Sequence, residues 1–171
     1  KKDGGQKALK PMLITDYPDL KYRGILLDIA RNFIPVKDIR KIIDVLSAYK
    51  INLLQLHFAD DEGWRLQIPG LKELTEVGAR RGYTNDEQQC LYPAYGGGFD
   101  SKHRSVGTGF ISRAEFISLL RYAAQRHVTI LPEIESPGHC RAACKSMLAR
   151  YNKYKESNPE KASEYLLTDL N

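Results

Sequence analysis

Residues 53–66, LLQLHFADDEGWRL, run from an apolar stretch straight into two adjacent acids. Leu53, Leu54, Leu56 and Phe58 have the composition and length of a buried strand. Asp60 and Asp61 stand where such a strand would leave the core, and Trp64, the chain's single tryptophan, follows three residues later. Neighbouring side chains on extended backbone point to opposite sides, so at most one of the two acids faces a given site. Trp64 has two readings: it closes the core, or it offers an aromatic plane to the apolar face of a sugar ring.

Upstream, GILLDIA (24–30) is a second run of strand length, and VKDIRKIIDVLSAYK (36–50) is helical. Ile39, Ile42, Ile43, Leu46 and Tyr49 fall on one face of that helix, with charges on the other. Downstream, SRAEFISLLRYAAQRH (112–127) reads as a helix opened by a capping box of Ser112 and Glu115. VTILPEI (128–134) is a further strand, and a helix follows Pro137 to about Tyr154. Strands alternating with helices predict a parallel sheet joined by right-handed crossovers. Residues 78–110, with AYGGGFD and SVGTG, are expected to form a glycine-rich surface insertion after the second strand. Residues 1–22 are polar and punctuated by Pro11 and Pro18, which predicts a linker or lead-in segment.

Composition excludes several classes. The chain has 171 residues, 42% hydrophobic and 27% charged, which is globular. No apolar run is long enough to span a bilayer, and no signal peptide is visible at the N-terminus. The net charge of +5 is spread along the chain without an aromatic-interleaved basic stripe, so nucleic acid is not an expected partner. Cys90, Cys140 and Cys144 are neither a disulfide framework nor a zinc site, and Cys140 and Cys144 would share a helix face as small packing residues.

The three strands share one feature. Polar side chains gather at their C-terminal ends: Asp28 and Arg31, then His57, Asp60 and Asp61, then Glu133, Glu135 and His139. Ligands of α/β folds bind outside that end of the sheet. Each residue also has a plain alternative. Arg31 could pair with Asp28, the acids could close turns, His57 could be a satisfied core histidine, and His139 could cap a helix or bond a carboxylate. No His/Asp set has recognisable metal-ligand spacing, and no cofactor or metal is expected.

Three stretches together resemble the opening of the catalytic barrel in the β-N-acetylhexosaminidases, family 20 of the glycoside hydrolases. They are Arg-Gly-x-x-x-Asp-x-x-Arg at 23–31, Asn-x-x-x-x-His-x-x-Asp-Asp-x-x-Trp at 52–64, and Pro-Glu-Ile-x-x-Pro-Gly-His at 132–139. The resemblance implies an α/β fold in which residues 18–171 form about the first three strand–helix units of a (β/α)₈ TIM barrel, with residues 1–17 a linker from a preceding domain. It implies removal of terminal, non-reducing N-acetylglucosamine or N-acetylgalactosamine from oligosaccharides or glycoconjugates. Configuration is retained, because the 2-acetamido oxygen of the substrate attacks the anomeric carbon. It also implies roles: Arg31 grips hydroxyls of the terminal sugar, Asp60 and His139 form a supporting pair that tunes the general acid, and Glu133 lines the same floor. Asp61 is expected to be a structural loop acid.

One departure stands out. The family's catalytic pair lies in a His-x-Gly-Gly-Asp-Glu motif after the fourth strand, and no such string occurs here. The chain ends at Asn171 before a fourth strand is expected, so the catalytic residues are expected beyond it and this chain alone should be inactive. A partial barrel leaves two unpaired edges, which predicts self-association or a flattened sheet. The competing readings are a non-catalytic carbohydrate-binding or interaction module derived from the same fold, and a metal-dependent sugar barrel, against which the lack of ligand spacing argues. The resemblance suggests a periplasmic or extracellular location.

Overall fold

The computed structural model describes residues 11–94 and 107–166. Among them, a four-stranded mixed sheet is covered by helices. β1 (Gly24–Asp28) and β4 (Thr129–Ile134) both pair in parallel with β2 (Leu53–Asp60), which lies between them. β3 (Gly63–Trp64) folds back antiparallel on the end of β2, a two-residue strand that the sequence pattern did not suggest. Its tightness demands glycine at 63, where an added Cβ would lie 2.4 Å from the Arg65 guanidinium and 2.6 Å from the Ala30 carbonyl.

The alternation of β2 builds the core. Leu54, Leu56 and Phe58 face α1 (Val36–Ala48) and α3 (Arg113–Ala124), where they pack with Ile39, Ile43, Leu119 and Ala123. Phe58 and Phe116 meet edge-on at 5.3 Å, the arrangement that aromatic quadrupoles favour. A second cluster of Ala59, Trp64, Leu74, Leu91 and Ala142 lies beneath α4 (Arg141–Tyr154). Trp64 therefore closes the core, with its indole N–H donating to Leu66 O at 2.5 Å. Two short helices were not anticipated: α2 (Glu73–Glu76) and α5 (Pro159–Ser163). The expected capping box is present, with Ser112 accepting from the Glu115 amide and Glu115 accepting from the Ser112 amide.

The two helices that precede strands, α1 and α3, hand over to them in the same way. After α1, Lys50 takes φ 58°, Lys50 N donates to Ser47 O, and Ile51 N donates to Leu46 O. After α3, His127 takes φ 58°, His127 N donates to Ala124 O, and Val128 N donates to Ala123 O. Each is a Schellman closure, in which a left-handed residue and the apolar residue after it satisfy the last carbonyls of the helix. Here non-glycine residues hold the left-handed position.

The expectation of a surface insertion at 78–110 requires correction for its described parts. Ala79, Arg81, Glu87, Cys90 and Leu91 are buried, and Arg81 and Leu91 form a parallel bridge. The physical reason is charge pairing that composition does not reveal. Glu87 is held by Arg141 at 2.6 Å and Lys145 at 3.4 Å, while the buried Arg65 binds the carbonyls of Ala79, Gly107 and Gly109. The triple glycine of AYGGGFD lies outside the described residues.

Residues 11–22 carry no helix or strand and are exposed; residues 1–10 of the expected linker lie outside the described residues. The outer strands leave Ile25, Leu26, Leu131 and Ile134 exposed. No helix among the described residues is long and apolar enough to cross a membrane.

Candidate active site at the strand ends

The sheet register creates the site. His57 of β2 stands opposite Asp28 of β1 and Glu133 of β4, so three titratable residues form one row across three strands. One residue later, β2 bulges against β4: His57 pairs with Glu133, yet Ala59 pairs with Ile134. In an unbroken strand residues 57 and 60 would face opposite sides. The extra residue turns the strand, as bulges do, and Asp60 reaches the same site as His57.

Asp60 is the centre of the cluster. It is almost fully buried, and its Oδ2 lies 2.7 Å from Arg31 Nη2 and 2.7 Å from His57 Nε2. Its Oδ1 accepts from the Asp61 amide at 2.6 Å and lies 3.4 Å from His139 Nδ1. Burial works to raise the Asp60 carboxyl, but the Asp61 amide, His57 and Arg31 outweigh it and hold the group below its ordinary value. Burial likewise works to lower His57, but bonds to Asp60 and to Glu133, whose Oε1 is 3.3 Å from Nδ1, raise it. Glu133 accepts a further bond from Gln55 at 2.7 Å, and with His57 this bond draws its carboxyl down against the effect of burial.

Arg31 is held by three carboxylates: Asp28 at 3.0 Å, Asp60 at 2.7 Å and Glu62 at 3.1 Å. Burial would lower its pKa, but Asp28, Asp60 and Glu62 raise it. The turn that carries Arg31 is fixed twice over. Asp28 Oδ1 accepts from the amides of Ala30 and Arg31, and the fully buried Arg65 donates to the carbonyls of Ile29 and Ala30. Arg81 adds a bond to the Arg31 carbonyl at 2.6 Å. Burial and the neighbouring Arg81 push Arg65 down to about 9, which still leaves it charged at neutral pH.

The structure thus brings Arg31, Asp60 and Glu133 into one network through His57, and sets His139 at its rim, 60% exposed and in a left-handed conformation with φ 52°. Asp61 accepts from the Arg141 amide at the start of α4 at 3.1 Å, and its other oxygen lies 3.7 Å from His139 Nδ1. The sequence places His57 at the strand ends, with a satisfied core histidine as its plain alternative, and gives no role to Gln55, Glu62 or Arg65. Gln55 was the most accessible of these, since it lies two residues from His57 and so on the same face of the strand.

The fold also creates groupings that sequence spacing did not predict. His57, Glu133 and Glu135, and separately Asp60, Asp61 and His139, place potential ligand atoms within 4.8 Å of one another. Several of these groups are engaged by ion pairs: each nitrogen of His57 faces a carboxylate, and Arg31 pairs with Asp60. A cleft lined by Asp16, Tyr17, Arg23, Tyr49, Asn52 and His127 lies at the opposite ends of the strands, away from this network.

Residues 20–169 match the catalytic domain of glycosyl hydrolase family 20. The chain is 45% identical over 163 residues to an N,N'-diacetylchitobiase of Vibrio harveyi, covering 95% of this chain and 18% of that protein. It is 47% identical over 161 residues to beta-hexosaminidase B of Pseudoalteromonas piscicida, covering 93% of this chain and 21% of that one. Among solved structures, a family 20 exo beta-N-acetylglucosaminidase from Vibrio harveyi in complex with N-acetylglucosamine superposes with a TM-score of 0.68 at 42% identity, over 78% of this chain and 19% of that one. The chain therefore spans about a fifth of the length of these relatives. The order of the three motifs, the mixed α/β sheet and the match across residues 20–169 agree: the chain belongs to glycosyl hydrolase family 20.

Proposed function

We propose that this chain is the first part of the catalytic (β/α)₈ barrel of a retaining, substrate-assisted β-N-acetylhexosaminidase. β1, β2 and β4 supply the first three barrel strands, β3 is a hairpin on the second, and residues 1–17 are a linker from a preceding domain. The observation that carries the reading is the Arg31–Asp60–His57 network at the strand ends of a family 20 chain. The substrate is a glycan ending in N-acetylglucosamine or N-acetylgalactosamine, which the names of the relatives support.

In this mechanism the acetamido oxygen of the substrate attacks the anomeric carbon, and an acid protonates the leaving oxygen and then activates water. Arg31, fixed by Asp28, Asp60 and Glu62, presents its exposed edge to the hydroxyls of the terminal sugar. A guanidinium locked in this way loses little freedom when it binds, so its hydrogen bonds act at full strength. Asp60 orients His139, which supports the general acid. Glu133 fixes His57 from the other side. The His-x-Gly-Gly-Asp-Glu motif is absent from these residues, so the chain by itself is inactive. Exposed Ile25, Leu26, Leu131 and Ile134 make self-association the expected behaviour of the isolated chain. A periplasmic or extracellular location fits an enzyme that trims glycans.

The test is hydrolysis of a chromogenic aryl β-N-acetylglucosaminide by the protein in its full natural length, beside Arg31→Ala. Turnover that falls at least about a hundredfold in the variant is expected, the scale of losing a positioned charged contact. No turnover by a folded, full-length protein would instead favour a non-catalytic carbohydrate-binding module.

A further inference from the structure

The start of α4 carries two thiols that the network above does not use. Cys140 is the residue before the first turn, at φ −113° and ψ 12°, and Cys144 lies one turn on. Their sulfurs are 3.5 Å apart, and both residues are partly exposed, whereas Cys90 is buried. The Cys144 amide donates to the Cys140 carbonyl at 3.0 Å, and the Cys140 thiol donates to the Pro137 carbonyl at 2.9 Å.

We propose that Cys140 and Cys144 are a redox-active dithiol, which a peroxide closes to a disulfide across the first turn of α4. Residues four apart on a helix hold their Cβ atoms about 5–6 Å apart. A disulfide needs about 3.5–4.5 Å between Cβ atoms. The missing distance comes from Cys140, because it lies outside the helical conformation and two residues after Gly138, a position with open space around it. Burial and the adjacent thiol push Cys144 up to about 11, which suits it to the second, resolving step, while Cys140, outside the helical conformation, is the sulfur free to move. The Cys140 thiolate takes one peroxide oxygen; the O–O bond breaks and hydroxide leaves, picking up a proton to become water. The Cys144 sulfur then attacks the sulfenic sulfur of Cys140 and breaks its S–O bond, and the hydroxyl takes up the Cys144 proton and leaves as the second water. Two thiols are oxidised by two electrons, and one peroxide is reduced to two waters.

Closure bears on the neighbouring site. Moving Cys140 toward the helix pulls on His139, the adjacent residue, whose Nδ1 is 3.4 Å from Asp60. The thiol chemistry stands independently of the proposed hydrolase activity, and it is read without an activity assay.

The protein in its full natural length is purified without reductant, treated with an equimolar amount of hydrogen peroxide, alkylated and digested with trypsin under non-reducing conditions. Cleavage after Arg126, Arg141 and Lys145 places the two cysteines on separate peptides, 127–141 and 142–145. The expected product is those two peptides joined, lighter by two hydrogens than their sum, and separated by reductant. Cys144→Ser should abolish the pair and leave Cys140 as a sulfenic acid, which a second equivalent of peroxide carries to sulfinic acid. Recovery of both cysteines as alkylated thiols, of Cys140 oxidised alone in the unsubstituted protein, or of either cysteine joined to Cys90 would overturn the proposal.

Discussion

Replacing Asp60 with Asn removes one negative charge and keeps the shape of the side chain. Asp60 is 1% exposed, and it faces Arg31 and His57 at 2.7 Å each. A hydrogen bond to a charged group contributes about 1.5–3 kcal/mol, and breaking a buried ion pair costs about 3–5 kcal/mol. Arg31 keeps Asp28 and Glu62 and is 32% exposed, so the lower part of that range applies. Asp60→Asn should therefore lose about 2–3 kcal/mol in urea unfolding at pH 7. The pH dependence has a definite sign. A carboxyl held below its ordinary value contributes stability above the unfolded pKa and loses it as pH falls through the folded one. The gap between the two proteins should be full at pH 7 and shrink below about pH 4. His57 is raised, so its contribution is complete below its unfolded value near 6.5 and fades as pH rises through the folded value. Losing Asp60 removes the hydrogen bond that raises it most, and its ring signals should titrate at lower pH in the variant. A loss smaller than about 0.5 kcal/mol, the scale of an ordinary surface substitution, would refute the reasoning. So would an unchanged His57 titration.

Gly63→Ala should destabilise by about 3 kcal/mol or more, because its Cβ would meet the Arg65 guanidinium and the Ala30 carbonyl, both held by other bonds; a thermal melt within a degree of the parent would contradict this. His127→Gly should stabilise by about 0.5–1 kcal/mol by relieving a left-handed non-glycine residue, less the chain entropy that glycine adds to the unfolded state. Chemical denaturation measures the difference, and a lower midpoint would count against the Schellman account.

The long elements were legible because their signals are local. The capping box, the apolar face of α1 and the three strand runs need only neighbouring residues to be read. The clustering of charge at strand ends was legible too, because β/α alternation fixes which end of each strand is shared. What escaped depends on partners distant in sequence. Arg65, Arg81 and Glu87 look like surface charges until the fold sets them against carbonyls and ion-pair partners. The bulge after His57 has no residue signature in β2, so His57 and Asp60 could not be seen to meet. β3 is too short for any periodicity to announce it.

The row Asp28–His57–Glu133 also bears on how the sheet assembles. Parallel strands that slip by two residues keep their apolar faces turned the right way, so hydrophobic patterning does not punish that error. A two-residue slip of β1 would set Leu26 or Ala30 beside His57 in place of Asp28, leaving an acid and its imidazole neighbour out of step. The same charges that shape the cleft thus proofread the alignment of the strands, and the chain needs that check most while β1 and β4 still have open edges.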